Sequence, residues 1–182
     1  MRIYLFLLEF SFLSLSLAAE YGPICNCRHF KVFTNELTWV KAKDACEGLG
    51  GRLAKIPNQD IGEMIHHYIL ESGIGDEVST GFWIGLQDIA TEDTFRWPDL
   101  DRIGCSMYQN WKPREPNNNT KKDQKGQDCV QMWKRHYYRW DDDYCDFRKK
   151  GYVCEFLNFD PRCERHASVS LFVEEDEFIP NY

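Results

Sequence analysis

Cysteine usage constrains this chain more than any other feature. It has 182 residues and 8 Cys, at positions 25, 27, 46, 105, 129, 145, 154 and 163. An even count at that density reads as a disulfide framework built in an oxidising compartment. The N-terminus agrees with that compartment. Arg2 precedes an apolar run from Ile3 to Leu17, interrupted by Glu9, and Ala18 and Ala19 offer small residues for cleavage. This is the layout of a secretory signal over residues 1–19. The run is shorter than the ~20 apolar residues a membrane span needs, and no later segment qualifies. The expectation is a secreted protein with no membrane span.

The remaining composition narrows the function classes. A formal net charge of −7 argues against nucleic acid, which requires clustered Lys and Arg. Six Trp, nine Tyr and twelve Phe exclude a disordered chain. The length allows one domain with short flanking segments. Residues 20–26 read as an N-terminal segment, 27–156 as the folded unit, and 157–182 as an acidic tail, with Phe172 and Val173 touching the body.

Arg28–Phe33 reads as a strand. Trp39, Ala42, Cys46 and Leu49 recur at helical spacing, with Thr38 as cap and Gly50–Gly51 as terminator. A second helix follows Pro57, capped by Asn58, with a buried stripe of Ile61, Met64, Ile65, Tyr68 and Ile69. Beyond residue 80 the pattern turns to short strands: Phe82–Leu86, Phe95–Trp97, Cys129–Trp133, Tyr137–Trp140 and Tyr152–Phe156. Between Leu100 and Asp128 lies a long polar stretch with Pro113, Pro116, three consecutive Asn and almost no periodicity. A loop of that length inside a domain is usually functional.

Several tracts now coincide in order: Trp83-Ile84-Gly85-Leu86, Asn110-Trp111, Glu115-Pro116-Asn117, Asp128-Cys129-Val130, Trp140-Asp141-Asp142, Cys145 and Cys154-Glu155. Together, with Cys46 on the first helix, they resemble the C-type lectin-like domain over residues 27–156. The resemblance implies an α+β fold of two helices, two small antiparallel sheets and a long ligand loop. It also implies the disulfides Cys46–Cys154 and Cys129–Cys145. Cys25, Cys27, Cys105 and Cys163 stay unassigned. Each N-terminal Cys can bond to either Cys105 or Cys163, or the chain can form an interchain bridge and a homo-oligomer.

The same resemblance maps a Ca²⁺ site onto Glu115, Asn117, Gln127, Asp141 and Asp142. Ca²⁺ takes six to eight oxygen ligands, and all five side chains offer one. A cis Glu115–Pro116 bond would let both flanking side chains face one ion. Gln127 and Asp141 depart from the family pattern, which has Glu and Asn there, but the total charge of −3 is kept. A second Ca²⁺ position maps to Asp88, Glu92, Asn118, Gln127 and Asp128. Asn118-Asn119-Thr120 is also a glycosylation sequon, and the insertion 119–126 carries three Lys.

By resemblance, sugar hydroxyls coordinate the ion directly and hydrogen-bond its ligands, so the expected partners are glycans. Glu115-Pro116-Asn117 is the mannose-type tripeptide, while Gln127 and Asp141 exchange donor and acceptor. Galactose binding in the family commonly needs an aromatic face. The insertion has none, and only the Tyr137–Tyr138 turn is a candidate. The expectation is a mannose-class lectin, with a calcium-independent protein-binding module as its rival. No nucleophile, base and orienter set stands out, so no enzyme is expected. Trp39, Trp83, Trp97 and Trp111 read as core anchors, His66 as a surface residue, and His67 as a partner of neighbouring turns. His136, Tyr137 and Tyr138 read either as lining the sugar site or as a plain turn.

Overall fold

The computed structural model describes residues 26–159 and 170–172. The expected leader, Cys25 and Cys163 lie outside them. In chain order the elements are β1 (Asn26–Leu37), α1 (Trp39–Gly48), β2 (Arg52–Leu53), α2 (Gln59–Glu71), β3 (Gly81–Gln87), β4 (Cys129–Trp133), β5 (Arg139–Asp143), β6 (Lys150–Phe159) and β7 (Ser170–Phe172).

Both helices form on their apolar stripes. Trp39, Ala42 and Cys46 of α1 are buried. Leu49 falls just past the helix end and is exposed, and Thr38 stands at the cap without a side-chain hydrogen bond. Gly50, at φ 80°, supplies the left-handed turn that follows. In α2 the Asn58 side chain accepts from the Ile61 N–H at 3.0 Å, and Ile61, Ile65 and Ile69 are buried.

The strands lie in the order β5-β4-β3-β6-β1-β7, with β2 pairing onto β6. The antiparallel β1–β6 ladder runs from Asn26↔Phe159 to Leu37↔Lys150 and holds the two ends of the domain together. A short parallel contact, Phe82↔Gly151 and Trp83↔Tyr152, joins β3 to β6. It merges the expected pair of small sheets into one. β7 pairs in parallel with β1, His29 opposite Ser170. Cys46–Cys154 fastens α1 to β6, and Cys129–Cys145 fastens the start of β4 to the segment after β5. Closing loops of this length stabilises the fold by roughly 3–5 kcal/mol each in the chain-entropy account. Among the described residues Cys105 is exposed and unpaired.

Three expectations need correction. Phe95–Trp97 is no strand: Arg96 makes only isolated bridges with Gln87 and Arg102, while Phe95 and Trp97 turn into the core. The strand expected at Tyr137–Trp140 begins at Arg139, because Tyr137 and Tyr138 adopt left-handed φ of 55° and 57°. Of the two His of α2, His66 departs from the surface expectation, while His67 meets a neighbouring turn as expected. His66 is half-buried against the Tyr138 ring, and His67 is exposed, 3.9 Å from Glu71.

The long loop is anchored by aromatic rings. Trp140 receives edge contacts from Trp97, Tyr108 and Trp111, and Trp111 also meets Phe95. Backbone bonds complete the anchor: the Trp140 N–H donates to Asn110 O at 2.7 Å, and the Lys112 N–H donates to Trp140 O at 2.9 Å. Residues 110–112 therefore run beside β5, and this contact delivers the loop to the acidic strand.

Candidate functional site

Strand alternation sorts β4 and β5 into two faces. Val130, Met132 and Trp140 enter the core. Gln131, Trp133, Asp141 and Asp143 point the other way and line an open cavity of about 560 Å³. Gln131 lies opposite Asp141 in the ladder and donates through Nε2 to Asp141 Oδ2 at 2.7 Å and to Asp143 Oδ2 at 3.3 Å. Asp142 faces the core side but is not left bare there. Its carboxylate accepts from the Asn117 N–H at 3.1 Å and the Asn118 N–H at 2.6 Å.

The loop brings Glu115 against these acids, and the Glu115–Pro116 bond is cis. Oxygens of Glu115, Asp141 and Asp142 lie within 4.8 Å of one another, the one such group among the described residues. The Glu115 side chain is 2 % exposed, and its Oε2 is buried with no hydrogen-bond partner. A hard, oxygen-only donor set with an orphaned buried carboxylate oxygen is what a Ca²⁺ ion would complete. By that test the residues fit a calcium ion.

Asn117 and Gln127 line the same cavity. The Gln127 amide is already engaged: Oε1 accepts from the Asn119 N–H at 3.1 Å, and Nε2 donates to Asp143 Oδ1 at 3.2 Å. The residues expected at a second ion are not gathered to the same degree. Asp88 is buried, with Oδ2 accepting the Asp93 N–H and Oδ1 without a partner. Its backbone N–H donates to Asp128 O at 3.0 Å, but Asp88, Glu92 and Asp128 form no three-oxygen cluster within 4.8 Å. Asn118 is half-buried at φ 41°, its Oδ1 accepting the Gln127 N–H at 2.9 Å.

Electrostatics in the cluster are those of crowded, desolvated acids. Burial, and then the adjacent Glu115, push Asp142 up to about 7. Burial also raises Asp141, against the pull of Lys112. Burial would raise Glu115 too, but its contacts with Asp142 and Lys112 outweigh it and leave the carboxyl below its ordinary value. The two crowded carboxyls of Glu115 and Asp142 are thus displaced in opposite directions.

Several cavity residues were not singled out from sequence, Lys112, Gln131, Trp133, Asp143 and Lys150 among them. Lys112 Nζ contacts Glu115 Oε1 and lies 3.1 Å from Asp141 Oδ1. Gln131 and Asp143 could have been found by alternation from Asp141. Lys150 is 2 % exposed, donates to Asp143 Oδ2 at 2.7 Å, and stands 4.8 Å from the Trp83 ring centre. No local pattern announces that buried cation. Trp133 and Phe147 are aromatic residues of the cavity, and Trp133 is flanked by His136 at 4.5 Å between ring centres. The Tyr137–Tyr138 turn does not serve: Tyr138 is buried against His66 and Phe82, and Tyr137 projects into solvent.

Residues 35–156 match the family described as Lectin C-type domain. The low affinity immunoglobulin epsilon Fc receptor of Mus musculus is 36% identical over 119 residues, covering 65% of this chain and 31% of the receptor. Its Homo sapiens counterpart is 29% identical over 161 residues, covering 82% and 44%. The chain therefore spans less than half the length of either receptor. A perlucin-like protein of Mytilus galloprovincialis is 28% identical over 129 residues, covering 71% and 75%. Among solved structures, the cow CD23 carbohydrate-recognition domain, determined with a GlcNAc2Man3 oligosaccharide present, superposes with a TM-score of 0.56 at 29% identity, covering 73% of this chain and 88% of that one. A calcium-independent type II antifreeze protein shares the fold at 24% identity, with a TM-score of 0.56 over 73% and 88% of the two chains. No described helix is long and apolar enough to cross a membrane. By sequence and fold the chain belongs to the C-type lectin domain family.

Proposed function

We propose that this domain is a calcium-dependent carbohydrate-binding module of a secreted protein. The ion would be held by Glu115, Asn117, Asp141 and Asp142, with Gln127 at the edge of the set. The carrying observation is the Glu115, Asp141 and Asp142 oxygens within 4.8 Å, with Glu115 Oε2 buried and unpartnered beside an open cavity. Bound calcium supplies a Lewis-acidic site that vicinal sugar hydroxyls can enter. The chain's own carboxylates then accept hydrogen bonds from those hydroxyls, and its amides donate to them.

Glycans on glycoproteins or cell surfaces are the ligands this chemistry suits. The cow CD23 domain studied with GlcNAc2Man3 supports the mannose class, as does Glu115-Pro116-Asn117. Trp133 gives the cavity an aromatic face, so the lack of an aromatic in the insertion no longer tells against galactose. Mannose preference then rests on the tripeptide. A glycan array read with Ca²⁺ and with chelator tests the proposal. Mannose-terminated glycans should be retained only with calcium, and no retention on any glycan refutes it. Asp88 Oδ1, buried without a partner, supports a second ion with Glu92, Asn118 and Asp128. A calcium stoichiometry of two, falling to one in Asp88→Asn, checks that, and a glycosidase mobility shift checks a glycan on Asn118.

One observation favours the rival reading, a calcium-independent protein-binding module. The Lys112 ammonium already contacts Glu115 and Asp141. Capture of a protein partner that persists in chelator would select that reading, and non-reducing electrophoresis would reveal a disulfide-linked oligomer.

A further inference from the structure

Three carboxylates with oxygens inside 4.8 Å repel one another strongly when desolvated, and Asp141 and Asp142 are both buried. Gln131 and the Asn117 and Asn118 N–H groups donate to the two aspartates, and one ammonium of the same chain contacts the cluster directly. Lys112, fixed by its N–H to Trp140 O, turns its ammonium onto Glu115 Oε1 and Asp141 Oδ1. That single positive charge opposes up to three negative ones, and it leaves Glu115 Oε2 without a partner. Charge and hydrogen bonding are therefore only partly satisfied, which is room for a divalent ion. The oxygens Lys112 touches belong to the set that such an ion would need. Its four-carbon stem is flexible, and the Trp133 ring, with its centre 5.1 Å from Nζ, borders the ammonium on the cavity side.

We propose that Lys112 is a tethered competitor of calcium: its ammonium occupies the ligand set in the metal-free domain and must be displaced, towards the Trp133 side of the cavity, when the ion enters. This rests on the calcium reading above and deepens it. Lys112 helps to keep the acidic cluster assembled without metal, and it sets the calcium concentration at which the sugar site forms. Because the displaced ammonium stays tethered beside the cavity, the exchange is local and reversible.

The test uses the full chain with Lys112→Met, which keeps the apolar stem, and Lys112→Gln, which keeps a neutral donor. Calcium affinity is read by calorimetric titration, and Tm is read in chelator and in saturating calcium. Breaking two charge-assisted contacts opposes binding, so both variants should bind Ca²⁺ about tenfold tighter or more. Both should also melt lower than the parent in chelator, and gain more Tm than the parent on adding calcium. If parent and variants bind calcium equally, the competition is refuted and the calcium reading survives. If the variants bind more weakly, Lys112 assists the site and the competition is again refuted. If none binds calcium, both proposals fall. Should Lys112→Met not fold, Lys112→Gln carries the same comparison.

Discussion

Asp142→Asn separates two roles of one side chain. In the metal-free domain Asp142 is a structural acceptor for the Asn117 and Asn118 N–H groups, at 3.1 and 2.6 Å. It is also a buried carboxyl beside Glu115, raised from 3.8 to about 7. A carboxyl raised in the folded state binds its proton more tightly there than in the unfolded chain. Metal-free stability therefore falls as pH climbs from about 4 through about 7. The asparagine keeps one acceptor oxygen and removes the charge, so in chelator at pH 7.5 the variant should lie within ~1 kcal/mol of the parent, or above it. Calcium reverses the comparison. At a free concentration a hundred times Kd the parent gains ~2.7 kcal/mol, a Tm rise of roughly 10 °C for a domain of this size. Asp142→Asn should lose most of that rise. Scanning calorimetry at pH 7.5, with chelator and with calcium, reads both numbers. A variant that keeps the full rise shows that Asp142 does not hold the ion. A variant that loses more than ~2 kcal/mol in chelator shows that hydrogen bonding, not charge crowding, dominates this position.

Three further outcomes are expected. Lys150→Met removes the cation paired with Asp143 at 2.7 Å and should cost ~3–5 kcal/mol in urea unfolding, with part of the loss recovered on adding Asp143→Asn. Burial lowers His66 below its ordinary 6.5, so the unfolded chain takes up that proton first. The resulting stability is present above pH 6.5 and lost as pH falls below it, and His66→Gln should flatten that part of a stability–pH curve. Gln127→Glu combined with Asp141→Asn leaves the formal charge unchanged, yet it should lower Tm in chelator.

The residues that declare themselves by periodicity or by a tight local rule were legible in the sequence. The α1 stripe at Trp39, Ala42 and Cys46, the Asn58 cap, and the Cys46–Cys154 and Cys129–Cys145 bonds expected by resemblance all occur. The acids of the site were legible too, since Glu115, Asp141 and Asp142 meet as expected. What was hidden depends on tertiary packing. Tyr137 and Tyr138 carry strand propensity, but the chain reverses there at positive φ, and Tyr138 swings away from the cavity into the core against His66. Phe95 and Trp97 alternate like a strand with no partner strand to extend them. Lys150 looks like one more surface lysine of a basic run, and only the register that places it at the start of β6, opposite Leu37, drives it inside.

The exchange of Gln and Asp at 127 and 141 is also explained by neighbours rather than by local pattern. Around Asp141 stand donors: Gln131 Nε2 at 2.7 Å and Lys112 Nζ at 3.1 Å. An acid is the better partner there, because hydrogen bonds between a cation and a carboxylate are roughly twice as strong as neutral ones. Around Gln127 the opposite holds. Its Nε2 donates to Asp143 Oδ1 at 3.2 Å, and Asp143 is itself held by Lys150 and by the Tyr144 N–H. A carboxylate at 127 would face the Asp143 carboxylate with no proton between them, and an amide at 141 would meet Lys112 without its charge. The total is preserved while each local contact is damaged, so the reversed pair should destabilise the metal-free domain even though no net charge changes. The two departures from the family pattern are therefore coupled to Lys112, Gln131, Asp143 and Lys150. Restoring the usual sugar-site pair would require changing those four residues as well.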